Sequence, residues 1–207
     1  RDFCLSRGLG DVYKRQGLGK ALNEGLKYCS HELVARMDTD DIAMPERFEK
    51  QLAVFKKYPD IDVVGAWINE FEDNVSNIKS VRKLPELPDD IRQFAKRRNP
   101  INHPVVMFRK SAVLASGGYQ HFPLFEDYYL WIRMLMNGAK FYNIQESLLY
   151  FRFSPEMFKR RGGWKYMINE LHFLQMMRQM HFISFSQFIF NKYIFINITS
   201  SLSLIHI

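Results

Sequence analysis

Cysteine is scarce in this chain, which contains only Cys4 and Cys29. Two cysteines exclude a disulfide-stapled scaffold, and no Cys/His cluster has the spacing of a zinc site. The amino end also lacks the apolar stretch of a secretory signal. These absences favour a reducing compartment, and we expect a cytoplasmic protein.

The composition also lacks the features of a disordered chain. Apolar residues make up 47% and aromatic residues 15% of the 207 positions, enough to bury the core of about one domain. The chain has 29 Lys and Arg against 22 Asp and Glu, and its net charge is +7. Such an excess suits a phosphate-rich partner or an anionic membrane surface. No nucleic-acid-binding motif accompanies it, so we expect no nucleic-acid partner.

The two ends of the chain lack the patterns of folded elements. Residues 1–16 do not begin with Met and show no convincing periodicity, and residues 201–207 have a similar look. We expect residues 1–16 to be a foreign, linker-like leader and residues 201–207 to be non-native as well. The native chain would then be truncated before Gly17.

From Gly17 onwards, helical and extended patterns alternate. The helix starting at Pro45 is expected to turn Phe48, Leu52 and Phe55 inward. This alternation predicts an α/β layered domain with a largely parallel sheet. Helices are predicted at 17–30, 45–57, after Pro88, at 128–136 and at 164–180, and strands at 33–37, 62–68, 105–108, 141–144 and 148–153.

The stretch 182–198 contains eleven apolar residues in seventeen, with Ser184, Gln187 and Asn191 on a narrow polar stripe. It is short for a membrane span, and Lys192 lies within it. We therefore expect a helix in the membrane interface or docked on a partner. The alternative is an ordinary helix that completes the core.

Three carboxylates, Asp38, Asp40 and Asp41, follow the predicted strand at 33–37. In open α/β sheets, ligands bind at the carboxyl ends of the strands. Neighbouring carboxylates repel one another, and a hard cation such as Mg²⁺ or Mn²⁺, shared with substrate phosphates, would relieve this repulsion. The alternative is a loop in which Asp40 or Asp41 caps the helix that starts at Pro45.

Two rival interpretations of these aspartates are weaker. A calcium hand that begins at Asp38 would place Ala43 where glycine is needed, and Pro45 would fall inside its loop. A phosphatase with an aspartyl nucleophile also uses a strand followed by Asp-x-Asp. Its usual Thr or Val is replaced by Ile42 here, so it stays as the lesser alternative.

A second acidic pair, Glu126 and Asp127, lies at the start of a predicted helix among aromatic residues. An apolar environment raises the pKa of a carboxyl group toward the value useful to a general base. The alternative is that both acids stabilise the helix dipole. His103 lies in a polar turn before a strand and is a candidate substrate contact, although a lone histidine there is more often structural.

The basic run Lys159–Arg161 is followed by two glycines and Trp164. Basic runs are usually solvated faces. Here the glycines permit a loop that closes over a diphosphate, with Arg160 and Arg161 offering bidentate contacts.

Several segments together resemble family 2 glycosyltransferases of the GT-A fold. The resemblance extends over about 17–166 and includes the ordered segments Leu18–Leu26, Ala35–Asp41, Pro45–Phe48, Asn102–Pro104, Phe108–Ser111, Gly117–Tyr119 and Glu126–Trp131. It implies a Rossmann-like α/β/α sandwich that lacks its first βαβ portion, with a helical tail at 167–200. The segments that hold the nucleotide base in that family are absent before Gly17.

The resemblance also implies roles for individual residues. Asp40 would hold the Mn²⁺ or Mg²⁺ bound to the donor diphosphate, while Asp38, also near the metal, would face the donor ribose or sugar. Asp127 would take the proton from the acceptor hydroxyl in an inverting transfer, and Glu126 would position the acceptor. Arg160, Arg161 and Trp164 match a family segment beyond the acidic pair.

The leading hypothesis is a glycosyltransferase that moves a sugar from a nucleotide-sugar donor to a glycan or lipid-linked acceptor. We expect a bacterial enzyme of surface polysaccharide synthesis, peripheral at the inner membrane face. The main alternative is an inactive membrane-docking or interaction fragment, followed by the phosphatase.

Overall fold

The computed structural model describes residues 17–153 and 163–204, with side chains to residue 194. The described residues form two compact units, one of 17–95 with 99–153 and one of 96–98 with 163–204. The elements in chain order are α1 (Leu18–Tyr28), β1 (Leu33–Ala35), β2 (Ile42–Ala43), α2 (Arg47–Lys57), β3 (Val63–Phe71), β4 (Ile78–Arg82), α3 (Pro88–Phe94), a 3₁₀ turn (His103–Val105), β5 (Met107–Arg109), α4 (Lys110–Ala115), α5 (Glu126–Met136), β6 (Phe141–Arg152), α6 (Gly163–Gln179) and α7 (Phe185–Leu204).

The first unit is built on a mixed sheet. Its strands lie in the order β1, β5, β3, β6, β2, and β4 pairs with β3. Only the pairing of β3 with β6 is parallel among the described strands, so the expectation of a largely parallel sheet is wrong. The chain enters β5 from the 3₁₀ turn and runs antiparallel to both β1 and β3. The prediction of an α/β domain is confirmed.

The central strand β3 carries much of the core. Val63, Val64, Ala66 and Ile68 are each at most 2% exposed, so both faces of the strand are covered. Strand β6 is continuous from Phe141 to Arg152, where the sequence predicted two strands. The pairing register of β6 with β3 shifts between Ile144 and Ser147, where the sequence predicted a gap between two strands. The predicted gap is therefore an irregularity within one strand.

Helix α2 differs from its prediction in which face is buried. Phe55 is 5% exposed as expected, but Leu52 is 47% exposed, so its predicted inward position is wrong. Arg47 and Gln51 are fully buried instead. These two residues and Phe55 are spaced four apart and therefore share one helix face. Hydrogen bonds to the backbone carbonyls of Arg36, Val64 and Val105 offset the burial of the two polar side chains.

The second unit contains α6 and α7. The predicted polar stripe is only partly buried: Asn191 is 9% exposed and Gln187 is half-buried, but Ser184 is exposed. Two aromatic residues of α7, Phe185 and Tyr193, are 64% and 68% exposed. Phe182 and Ile183, just before α7, are buried. Among the described residues, no helix is both long and apolar enough to cross a membrane.

Candidate active site

The acidic loop leaves the sheet where β1 ends. The Arg36 amide donates a hydrogen bond to the Val106 carbonyl, 3.0 Å away, which extends the contact between the β1 and β5 segments. The Arg36 guanidinium then donates two hydrogen bonds to the Asp38 carboxylate, one of them 2.7 Å long. Asp38 is thereby held in place by a cation two residues earlier in the chain.

Arg47 holds the start of the acidic loop through a hydrogen bond to its backbone. Its side chain is fully buried, and its Nη2 donates to the carbonyl of Arg36 at 2.7 Å. Its Nε donates to the side-chain oxygen Oε1 of Gln51. The side-chain nitrogen Nε2 of Gln51 in turn donates to the Val105 carbonyl at 2.7 Å. Burial lowers the pKa of Arg47 to about 10, so it is still a cation at neutral pH. The start of the acidic loop is therefore anchored to the protein interior.

Asp41 connects the loop to the end of β6. It is 6% exposed, and its Oδ1 accepts a hydrogen bond from the Arg152 amide at 2.9 Å. The Arg152 Nε donates to the Asp40 carbonyl at 3.2 Å. Burial, with the nearby charges of Asp38 and Asp40, raises the pKa of Asp41 to about 6. No side chain caps α2, so the capping role considered for Asp40 or Asp41 is wrong.

The donor set suits a divalent ion that is shared with a substrate. The Asp40 carboxylate is exposed and has no hydrogen-bond or ion-pair partner within the part of the chain that the structure describes. That part contains no group of three or more His, Cys, Asp and Glu residues placed to hold a metal ion. Mg²⁺-type ions are commonly bound by one or two carboxylates plus substrate phosphates, and Asp40 with Asp38 fits this pattern.

The second acidic pair begins α5, as expected. The side-chain amide of Asn99 donates to Oδ2 of Asp127 at 2.7 Å. Burial raises the pKa of Glu126, as its aromatic surroundings predicted, and His121 lies 3.8 Å from its Oε1. Both acids also lie in the first turn, where the helix dipole favours negative charge. The dipole and a substrate role are compatible here.

In the sequence, His103 and Tyr119 lie between the two acidic segments. His103 is 8% exposed, and its Nε2 is 2.9 Å from the Tyr119 hydroxyl. Burial lowers the pKa of His103 well below its ordinary value, and the charge of Arg36 acts in the same direction. Burial raises the pKa of Tyr119, which also responds to the charges of Arg36 and Asp127. His103 and Tyr119 therefore form a buried, hydrogen-bonded pair.

The remaining predicted site residues are His103, Arg160, Arg161 and Trp164. His103 is an interior residue bonded to Tyr119, and a direct contact with substrate stays a prediction. Arg160 and Arg161 lie outside the described residues. Trp164 begins α6 in the second unit and is 78% exposed. Its role toward a donor diphosphate stays a prediction.

Three residues that support the site, Asn99, Arg47 and Gln51, were not predicted from the sequence. The spacing of four between Arg47 and Gln51 was a usable signal, since it places both on the helix face that also carries Phe55. Asn99 had no comparable signal, because its partner is 28 residues away in the sequence.

The chain matches known proteins in sequence. Residues 13–115 match the family model described as "Glycosyl transferase family 2". The amylovoran biosynthesis glycosyltransferase AmsE of Erwinia amylovora is 44% identical over 158 residues, which are 76% of this chain and 59% of the relative. The UDP-Gal:alpha-D-GlcNAc-diphosphoundecaprenol beta-1,3-galactosyltransferase of Escherichia coli is 42% identical over 191 residues, 92% of this chain and 66% of the relative. The chain thus spans about three fifths to two thirds of the length of these relatives.

Solved structures share the fold at lower identity. Staphylococcus aureus TarS 1-349, in complex with UDP-GlcNAc, aligns with a TM-score of 0.55 and 14% identity over 76% of this chain and 46% of that one. The mannosyltransferase PcManGT of Pyrobaculum calidifontis, in complex with GDP-Man and Mn²⁺, aligns with a TM-score of 0.52 and 15% identity over 82% of this chain and 45% of that one. At these identities the likeness concerns the fold alone.

Proposed function

This chain belongs to the family 2 glycosyltransferases and has their GT-A type of α/β fold, and from that premise we propose that it transfers a sugar from a nucleotide-sugar donor to an acceptor hydroxyl with inversion. Its relatives act in polysaccharide or lipid-linked sugar synthesis. The observation that carries the proposal is the acidic loop directly after β1, where Arg36 holds the Asp38 carboxylate and the Asp40 carboxylate is exposed.

The donor side is assigned to the acidic loop. Asp38, held by Arg36, would face the donor ribose or sugar, and Asp40 with Asp38 would hold Mn²⁺ or Mg²⁺. When bound, the ion neutralises negative charge on the departing nucleoside diphosphate. The Asp40 carboxylate suits this role because it is exposed and has no competing cation among the described residues. The Escherichia coli relative, 42% identical, is named for a UDP-Gal donor, which supports a nucleotide-sugar donor here.

The acceptor side is assigned to the start of α5. Asp127 removes the proton from the acceptor hydroxyl, whose oxygen forms a bond to the anomeric carbon. The bond from that carbon to the diphosphate oxygen breaks, and the nucleoside diphosphate leaves with the electron pair. Asn99 fixes the Asp127 carboxylate through Oδ2, and Glu126 positions the acceptor. A single in-line displacement of this kind inverts the anomeric configuration.

The relatives and the second unit support a proposal for the acceptor and its location. The Escherichia coli relative is named for a diphosphoundecaprenol-linked acceptor, which supports a lipid-linked or glycan acceptor here. Peripheral contact at the inner membrane face is consistent with the exposed Phe185 and Tyr193 of α7. Bacterial surface polysaccharide synthesis is the corresponding setting.

Donor binding is the direct test of the proposal. Titration calorimetry of the complete gene product with UDP and with GDP should show binding that requires Mn²⁺ or Mg²⁺. Asp40→Asn should abolish the metal requirement together with most of the affinity, while Asp73→Asn, an exposed loop aspartate, should match the unaltered protein. Equal nucleotide binding by the protein and by Asp40→Asn would refute the assignment.

The same preparation separates the alternatives. A docking or interaction fragment would bind neither nucleotide and would transfer no sugar. A phosphatase with an aspartyl nucleophile would release inorganic phosphate from a phosphoester and would lose that activity in Asp38→Asn. We expect no such phosphate release.

A further inference from the structure

Helix α7 buries Asn191 and exposes several of its apolar residues. Phe185, Ile189 and Tyr193 recur every four residues and are 64%, 48% and 68% exposed. Phe190, on the neighbouring face, is 48% exposed. Asn191 on the opposite side is 9% exposed, and its Nδ2 donates to the Lys96 carbonyl at 2.8 Å. The helix is therefore fixed by a polar contact, and it exposes an apolar surface.

A surface cavity of about 370 Å³ lies beside this apolar surface, within the second unit. Its lining includes two cationic side chains, an aromatic ring and no carboxylate. The guanidinium of Arg97 lies 5.4 Å from the centroid of the Phe190 ring, so the cation is held at the boundary between the cavity and the apolar surface. The lining residues are Lys96, Arg97, Ser186, Gln187, Phe190 and Asn191.

The surrounding sequence carries charge of one sign. No Asp or Glu occurs in residues 171–207, whereas Arg178 and Lys192 both do. The nearest acidic residue before that stretch is Glu170, whose pKa burial raises to about 7. A ligand of this cavity is therefore expected to be anionic, and a ligand that also covers the exposed face of α7 is expected to be apolar at one end.

We propose that this cavity binds the diphosphate group of a lipid-linked sugar acceptor, with the lipid lying against the exposed apolar face of α7. The assignment rests on the proposed glycosyltransferase function, because that function supplies a lipid-linked acceptor. Two consecutive cations, Lys96 and Arg97, match a group with two or more negative charges better than the single charge of a phosphodiester. Arg97 offers the paired donors that suit phosphate oxygens.

The test uses a short isoprenoid diphosphate as the probe. Farnesyl diphosphate should bind the complete gene product more tightly than either inorganic diphosphate or farnesol, since only farnesyl diphosphate meets both the cations and the apolar face. Arg97→Gln and Lys96→Gln should each weaken its binding about tenfold, a loss typical of one charge-assisted hydrogen bond. Lys192→Gln is the matched control, because it removes an exposed cation of α7 that does not line the cavity.

Lys96→Gln guards against a misleading result from Arg97→Gln, which also removes a contact with Phe190. The Lys96 backbone carbonyl that Asn191 contacts is kept in this variant. Unchanged affinity for farnesyl diphosphate in both variants would overturn the proposal. So would loss of binding to phosphatidylglycerol vesicles in both variants without loss of farnesyl diphosphate binding, which would assign the cations to bulk lipid.

The outcome is independent of the donor site. Metal-dependent UDP or GDP binding is measured on the same variants and should be unchanged. If nucleotide binding is present and the cavity variants bind farnesyl diphosphate normally, only the cavity proposal fails. If nucleotide binding is absent from the unaltered protein, the proposed function itself fails.

Discussion

The side-chain amide of Asn99 donates a hydrogen bond to Oδ2 of Asp127, with 2.7 Å between nitrogen and oxygen. This bond fixes the orientation of the carboxylate at the start of α5. The second oxygen, Oδ1, has no hydrogen-bond partner in the described ranges 17–153 and 163–204. One oxygen is thus used for positioning, and the other is available to an acceptor hydroxyl.

Replacing Asn99 by alanine should slow sugar transfer about tenfold without weakening nucleotide binding. The expected loss corresponds to about 1.4 kcal/mol, the size of one hydrogen bond to a charged group. Steady-state rates with saturating donor, together with calorimetric titration of UDP or GDP, measure the two effects separately.

Gln93→Ala is the matched control for this change, because Gln93 is an exposed amide residue on the nearby helix α3. Its transfer rate should equal that of the unaltered protein. An Asn99→Ala variant with full activity would show that Asp127 needs no support from Asn99.

Gly65→Ala should lower the free energy of unfolding by about 2–3 kcal/mol. A Cβ at position 65 would lie 2.2 Å from Oδ1 of Asn143 and 3.2 Å from Cδ1 of Ile101. Asn143 is fully buried and donates to the carbonyls of Pro85 and Pro100, so it cannot move aside cheaply. Urea unfolding followed by circular dichroism measures the loss.

Gly25→Ala should change the free energy of unfolding in the opposite direction to Gly65→Ala. No atom lies within 4 Å of a Cβ at Gly25, which is inside helix α1. Alanine there should raise the free energy of unfolding by about 0.5–1 kcal/mol, because glycine loses more backbone entropy in a helix. Equal effects of the two substitutions would contradict the close packing of β3 against β6.

The stability of the protein should depend on Glu170 between about pH 4.5 and pH 7. Burial raises the pKa of Glu170 to about 7 in the folded chain, from 4.5 for an unperturbed side chain. The folded state therefore holds this proton more tightly, and its contribution to the free energy of unfolding falls as the pH rises through that range. Above pH 7 the charged, partly buried carboxylate is destabilising.

Glu170→Gln should accordingly stabilise the protein at pH 8 and have little effect at pH 4. The expected gain is about 1 kcal/mol, less than the full shift implies, because the side chain keeps part of its solvent contact. Urea unfolding at both pH values measures it, with the exposed Glu49→Gln as the control. A gain of the same size at both pH values would show that charge at Glu170 is not the cause.

The order of helices and strands could be predicted from sequence because apolar spacing is a local property. Helices α1, α3, α5 and α6 lie close to their predicted positions. Strand direction is not local: β5 pairs antiparallel with both β1 and β3, and both pairings join residues that are distant in the sequence. Short elements such as β2 and α4 gave no periodic signal of their own.

The polar interior was the least predictable part of the site. No interior position was predicted for Arg47 and Gln51 from the sequence, because charged and amide side chains usually face solvent. They are buried because carbonyls of Arg36 and Val105 offer hydrogen bonds that replace water. The acidic segments themselves were visible in the sequence, but the hydrogen bond from Asn99 to Asp127 joins residues 28 positions apart.

The transfer rate and nucleotide affinity of Asp127→Asn, measured on one preparation, test the central claim most directly. The account predicts that the rate of sugar transfer falls by a factor of about 10²–10⁴, the usual contribution of a general base. Metal-dependent binding of UDP or GDP should be unchanged, because the donor is assigned to Asp38 and Asp40. Sugar transfer at the rate of the unaltered protein would contradict the assignment of Asp127 as the base.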